Sequence, residues 1–324
     1  MSQELPFDPF PFIDNPHKQT IFSSLFNVLF EPASDQKLVL LPDGDKISLE
    51  VTTPRQWKGT DLTAFLVHGL CGSHKSPNLV RMAKRLEPLG IRTVRYNMRG
   101  CGSGKGLAKH IYHSGRTEDV FECLKALKKE EPETPIVLIG FSLGGNIVLK
   151  LAGELSVLAH PFLLGVIAVS PPVELYSSIQ MLGHPDNAMY ERYFYRLLRA
   201  DVYYRHKKFK LPPVDLPRDL KLYEFDQCYT APTCGFESAI DYYNKCSAAH
   251  VVSDIAIPCN ILLAEDDPIV SPASLDAYTL PPNVHLFKTK KGGHMGYLGR
   301  SKGRKGFYWL DSLLVDWIVG SGVG

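Results

Sequence analysis

Short apolar runs alternate with amphipathic stretches along most of the chain. "KLVLLPDGDKISLEVTT" (37–53) predicts two strands joined at Pro42-Asp43-Gly44, a turn sequence. "LTAFLVHG" (62–69), "IRTVRYNMRG" (91–100), "LLGVIAVSPP" (163–172), "CNILLAED" (259–266) and "NVHLFKTK" (283–290) predict further strands. Between them, "NLVRMAKRLEPLG" (78–90) has helical spacing and a terminal glycine. "TEDVFECLKALKKE" (117–130) places acids early and lysines late, as the helix dipole favours. "FYWLDSLLVDWIV" (307–319) predicts a last helix. Such alternation predicts an α/β fold whose mostly parallel sheet carries helices on both faces, with the N-terminal hairpin as an antiparallel edge.

One segment breaks the rhythm. Residues 173–250 separate two strands by far more than a loop needs. They are rich in Tyr, Arg and Pro, and helical where periodic ("AMYERYFYRLLRADVYYRHKKF"). The expectation is a core of residues 1–172 and 251–324, with 173–250 inserted as a helical cap over the carboxyl ends of the strands. Tyr190, Tyr193, Phe194, Leu197 and Leu198 then either line an apolar pocket or form the cap's own core.

"PIVLIGFSLGGNIVLKLAG" (135–153) carries the chemistry. A buried strand runs into Gly140-Phe141-Ser142-Leu143-Gly144, and a helical pattern follows. A tight strand-to-helix turn thrusts its serine towards a substrate, and flanking glycines leave room for the turn. The helix N-terminus meanwhile aims N–H groups at developing negative charge.

Serine needs a base at neutral pH. Among the histidines after the middle of 173–250, His206 lies in charged "RHKKFK", His250 precedes a strand, and His285 alternates within one. His294 sits in "KKGGHMGYLG", a glycine loop between the last strand and the last helix, and is the expected base. "ILLAEDDPIVSP" offers the acid: Asp267, at the strand exit before Pro268, with Asp266 left to cap the turn or bond backbone amides. The oxyanion donors expected are the backbone N–H groups of Leu143 and of Leu70, in the loop after "LTAFLVHG". His68 then orients that loop, and Cys71 packs.

Composition narrows the alternatives. The 324 residues are 44% hydrophobic and 22% charged, with a net charge of +2, which gives no reason to expect nucleic acid as a partner. Seven cysteines without a CxxC predict reduced thiols rather than a disulfide framework or a zinc site. The opening stretch lacks the basic and apolar regions of a secretory leader, and "TIFSSLFNVLF" (20–30) is too short to span a bilayer. A cytoplasmic protein without metal or organic cofactor is expected. Basic "RHKKFK" (205–210) is expected to be a solvated face, with contact to anionic lipid as the alternative.

"NPHKQTIF" (15–22), "HGLCGS" (68–73), "YNMRGCG" (96–102), "YHSGRTED" (112–119), "GFSLGGNI" (140–147), "EFDQCYTAPTCGFESAIDYYNKCSA" (224–248), "AEDDPIV" (264–270) and "GGHMGY" (292–297) together carry a resemblance. The chain resembles the α/β-hydrolase superfamily and, within it, the YheT-like/EMB8 branch related to the animal ABHD1/2/3-type hydrolases. The resemblance implies a serine hydrolase of short- or medium-chain carboxylic esters or lipids, with Ser142, Asp267 and His294 as its triad. The alternatives are a thioesterase, an acyltransferase, or a non-catalytic relative that binds a ligand in the old pocket. Some animal relatives carry a His-x4-Asp acyltransferase signature, which His113 and Glu118 match only imperfectly. Arg99, in "YNMRGCG", is expected to anchor its loop to a carboxylate, with an approach to the pocket mouth as the alternative.

Overall fold

The computed structural model describes residues 2–25, 31–300 and 306–320. The predicted hairpin forms as β2 (Asp35–Leu40) and β3 (Lys46–Thr52), antiparallel and closed by Asp43 and Gly44, the latter at φ 88°. β4 (Thr63–Val67), helix α2 (Pro77–Leu86), β5 (Arg92–Tyr96), α3 (Thr117–Glu130), β6 (Ile136–Phe141), α4 (Leu143–Leu155) and β7 (Gly165–Val169) then follow the predicted alternation. After residues 173–250 come β8 (Cys259–Ala264), β9 (Val284–Thr289) and, last, Trp309–Val319.

Two elements escape the hydrophobic pattern. Gln3–Glu4, named β1, pairs in parallel with β9 and extends the sheet by a two-residue edge. Pro16–Leu25 forms helix α1, which covers the first part of the apolar 20–30 stretch; residues 26–30 lie outside the described residues. The resulting sheet has nine strands in the order β1-β9-β8-β7-β6-β4-β5-β3-β2. β4 through β9 pair in parallel, and the β3–β5 and β2–β3 pairs make the antiparallel edge.

Every residue of β4, β6, β7 and β8 is buried, as expected for strands covered on both faces. Alternate side chains enter two cores. Phe65, Leu138, Val166 and Ile261 pack with α3 and α4, whereas Leu66, Ile139, Ile167 and Leu262 pack with α2 and the C-terminal helix.

Between β7 and β8 the chain is helical, as the pattern predicts. It forms α5 (Leu175–Leu182), α6 (Ala188–Lys208), α7 (Leu222–Phe225), a π-helical turn (Asp226–Thr230), α8 (Ala231–Thr233) and α9 (Ala239–Cys246). The C-terminal helix Trp309–Val319 is α10.

Arg99 shows how loops at the carboxyl ends of the strands are fixed. Its guanidinium donates to both oxygens of Asp119, each at 2.6 Å, and also to Asp43 and Asp45. A buried arginine with bidentate partners ties the loop after β5 to α3 and to the hairpin turn. Asp43, Asp45 and His110 lie close enough together to share a cation, but Arg99 and the backbone N–H groups of Lys109 and His110 already engage these carboxylates.

The basic stretch at 205–210 is only partly a solvated face. Arg205 is buried and donates to the carbonyls of Ala108 and His110, and His206 bonds to Tyr229 and Pro212. Lys207 and Lys208 remain exposed.

Candidate active site

The turn between β6 and α4 holds Ser142 at φ 52° and ψ −122°, a conformation L-residues rarely adopt. The strain is fixed by packing. A Cβ on Gly140 would lie 2.3 Å from the Gly144 carbonyl oxygen, and one on Gly144 would lie 2.5 Å from the carbonyl oxygens of both Val67 and His68. The two glycines thus let β6, β4 and α4 converge, and Ser142 N–H donates to Val169 across the sheet. The serine reaches the wall of a cavity that helices between β7 and β8 also line.

The other two predicted side chains meet it. His294 Nε2 lies 2.8 Å from Ser142 Oγ, and His294 Nδ1 lies 2.8 Å from Asp267 Oδ2. Asp267 Oδ1 accepts the N–H groups of Ile269 and Val270 at 2.8 and 2.9 Å. The carboxylate is therefore locked with one oxygen facing the imidazole. Asp266, its neighbour, turns away and accepts the Gly293 N–H at 2.9 Å. Of these adjacent carboxylates, one holds the ring and the other holds the backbone that carries the ring. Burial raises the pKa of Asp266, against the lowering effect of the Gly293 N–H.

Leu70 and Leu143 lie with Ser142 on the wall of one cavity. Neither backbone N–H donates to another group among the described residues. Gly69 packs against Ser142, where a Cβ would lie 3.1 Å from the serine Cβ. His68 fixes this loop: its Nε2 accepts the Met98 N–H at 3.1 Å, so its Nδ1 carries the proton and donates to the Gly69 carbonyl at 2.7 Å. Complete burial pushes the His68 pKa down to about 4, so it stays neutral. Burial pushes the Cys71 thiol up to about 12, which suits packing and not nucleophilic attack.

The histidine loop has support that the sequence did not disclose. His294 N–H donates to Thr20 Oγ1 at 2.9 Å, and Thr20 Oγ1 donates to the Pro16 carbonyl at 2.8 Å. Gln19, fully buried, accepts the Leu298 N–H and donates to the carbonyls of Leu298 and Ile13. A Cβ on Gly296 would lie 2.6 Å from the Gln19 backbone. Helix α1 thus clamps both ends of the loop, while His17 Nδ1 reaches Tyr190 of α6 at 3.1 Å. "NPHKQTIF" was legible as a motif, but its unclustered polar residues gave no sign of what they would hold.

With the solvent at its mouth included, the cavity spans about 960 Å³. Much of its wall is apolar: Leu143, Leu175, Ile179, Phe194, Leu198 and Ile269 contribute. Of the aromatic and leucine residues anticipated here, Phe194 and Leu198 line it, Tyr193 is exposed, and Tyr190 is buried against α1. His113 also lines it, its pKa lowered to about 3 by desolvation, but Glu118 pairs with Arg116 instead. All seven cysteines are free, and no helix among the described residues is long and apolar enough to cross a membrane.

Comparison with known proteins agrees with this fold. Over 332 residues the chain is 31% identical to YheT of Escherichia coli strain K12, provisionally named an esterase, covering 98% of this chain and 94% of that protein. It is 26% identical over 273 residues to the human phospholipase ABHD3, covering 81% of this chain and 66% of that protein. Among solved structures, the Pyrococcus furiosus esterase Pf2001 superposes with a TM-score of 0.57 at 16% identity, over 89% of this chain and 88% of that one. Residues 65–301 match the family model described as alpha/beta hydrolase fold, and the chain belongs to that family.

Proposed function

We propose that the protein is a carboxylic ester hydrolase that works through an acyl-serine intermediate. The observation that carries this is the unbroken line Asp267–His294–Ser142, two hydrogen bonds of 2.8 Å ending on a strained serine at an apolar cavity. The esterase and phospholipase names of the relatives support the same chemistry.

In the first half-reaction His294 Nε2 takes the Ser142 proton as Oγ attacks the ester carbonyl carbon. The N–H groups of Leu70 and Leu143 receive the oxyanion, and Asp267 stabilises the imidazolium. The carbonyl reforms, the C–O bond to the alcohol breaks, and His294 gives the proton to the departing alkoxide. In the second half-reaction His294 takes a proton from water, hydroxide adds to the acyl carbon, and Ser142 leaves with that proton while the carboxylic acid is released. The segment 173–250 acts as a cap whose apolar side chains receive an acyl chain or lipid tail. The test is a panel of p-nitrophenyl esters of graded chain length. Ser142→Ala should abolish turnover while leaving the fold intact, and undiminished turnover in pure variant protein refutes the reading.

A further inference from the structure

We propose that Asp226 recognises a hydrogen-bond donor on the substrate, a hydroxyl or an ammonium group remote from the scissile ester. This deepens the ester-hydrolase reading and rests on it for the chemistry at Ser142 alone.

Two carboxylates interrupt the apolar wall of the cavity, Asp201 and Asp226. Asp201 is accounted for: Arg205 donates to it at 2.6 Å and is itself anchored to the Ala108 and His110 carbonyls. Asp226 is different. Its protein donors are neutral hydroxyls, Tyr243 at 2.8 Å and Thr230, and no cationic side chain offsets its charge among the described residues. An ionised carboxylate has about four acceptor positions, so two protein donors leave capacity for a ligand.

A structural role does not require the charge. A neutral amide oxygen would accept the Tyr243 hydroxyl at lower desolvation cost. Burial accordingly pushes the Asp226 carboxyl up to about 6, the sign of a group that lacks its counterpart. The backbone points the same way. Asp226 opens the π-helical turn Asp226–Thr230, a rare, wide form frequent at functional sites, and Tyr229 and Thr230 from the same turn also line the cavity. Tyr242 and Tyr243, their rings 5.1 Å apart, also line the cavity and add polar, aromatic surface beside the carboxylate. Aromatic faces beside a carboxylate favour a cation or a donor over a plain alkyl terminus.

The test reads binding in a Ser142→Ala background, so it stands or falls without turnover; failure of the hydrolase reading would appear separately, as no ester turnover by the wild type. Calorimetry compares decanol, decanediol and decylammonium. The diol and the ammonium should bind at least about tenfold more tightly than decanol. Asp226→Leu should erase that preference while decanol still binds, which shows an intact cavity. Asp226→Asn, which keeps an acceptor for Tyr243, should lose the preference for the ammonium and keep part of that for the diol. Equal affinities in the parent, or a preference that survives both substitutions, overturns the proposal. With wild type, kcat/KM for esters hydroxylated on the acyl chain or on the alcohol should exceed that of the unsubstituted ester on one of the two sides; no gain on either contradicts it.

Discussion

Replacing Thr20 with valine tests whether helix α1 holds the reactive histidine in place. Valine has nearly the shape of threonine but cannot accept the His294 N–H, now bonded at 2.9 Å. The Pro16 carbonyl, which loses the Thr20 hydroxyl, lies at the start of α1 and keeps the helix's own backbone ladder, and the Tyr190 hydroxyl, which also bonds Thr20, keeps His17; the orphaned group is the histidine N–H. A buried donor without a partner costs about 1–3 kcal/mol. The loop relieves that cost by moving its N–H towards water, which carries the imidazole away from Ser142. If the whole cost appears as lost alignment, kcat falls about 5- to 150-fold, since about 1.4 kcal/mol is a factor of ten in rate. KM should stay nearly constant, because Thr20 does not line the cavity. The assay is steady-state hydrolysis of a p-nitrophenyl ester, with thermal unfolding recorded on the same samples. Thr20→Ser restores the acceptor and should restore kcat. A folded Thr20→Val protein with kcat within about twofold of wild type would refute the argument that this hydrogen bond positions the base.

Other substitutions and conditions carry separate expectations. Asp267→Asn should lower kcat about 10⁴-fold with the fold kept, because the amide forces the imidazole proton onto Nε2, where it cannot accept from Ser142; a loss below tenfold would contradict the tautomer argument. Gly144→Ala should fail to yield folded protein or lose activity entirely, since its methyl would sit 2.5 Å from two carbonyl oxygens, and a normal circular dichroism melt with full activity would contradict this. His68 and His113 have pKa values lowered to about 4 and about 3, so the unfolded chain binds their protons first as pH falls. Stability should be full above about pH 6.5 and decline below it, with His68 alone withdrawing about 3 kcal/mol by pH 4. Denaturant titrations across that range measure it, and a flat profile contradicts neutral burial.

The fold was legible where burial imposed a period. β4, β6, β7 and β8 are apolar runs because both faces of the sheet are covered there, and the helices between them show one apolar face. Gln3–Glu4 was not legible, since two exposed residues have no period and their partner strand lies some 280 residues away. The serine, the histidine and Asp267 were read from chain order and glycine spacing, which the steric demands of the turn and loop impose directly. Asp266 took the backbone-bonding part left open for it. Gln19 and Thr20 were missed because their partners, Leu298 and His294, become neighbours only once α1 docks. Arg205 was misjudged for a related reason: in "RHKKFK" nothing marks which cation will find Asp201 and two carbonyl oxygens.

The central claim is that one hydroxyl, primed by one imidazole, performs the chemistry. A fluorophosphonate probe followed by peptide mass mapping tests it most directly. The account predicts a single adduct on Ser142 that vanishes in Ser142→Ala and forms far more slowly in His294→Ala. An adduct on any other residue, or equally fast labelling without His294, would contradict it.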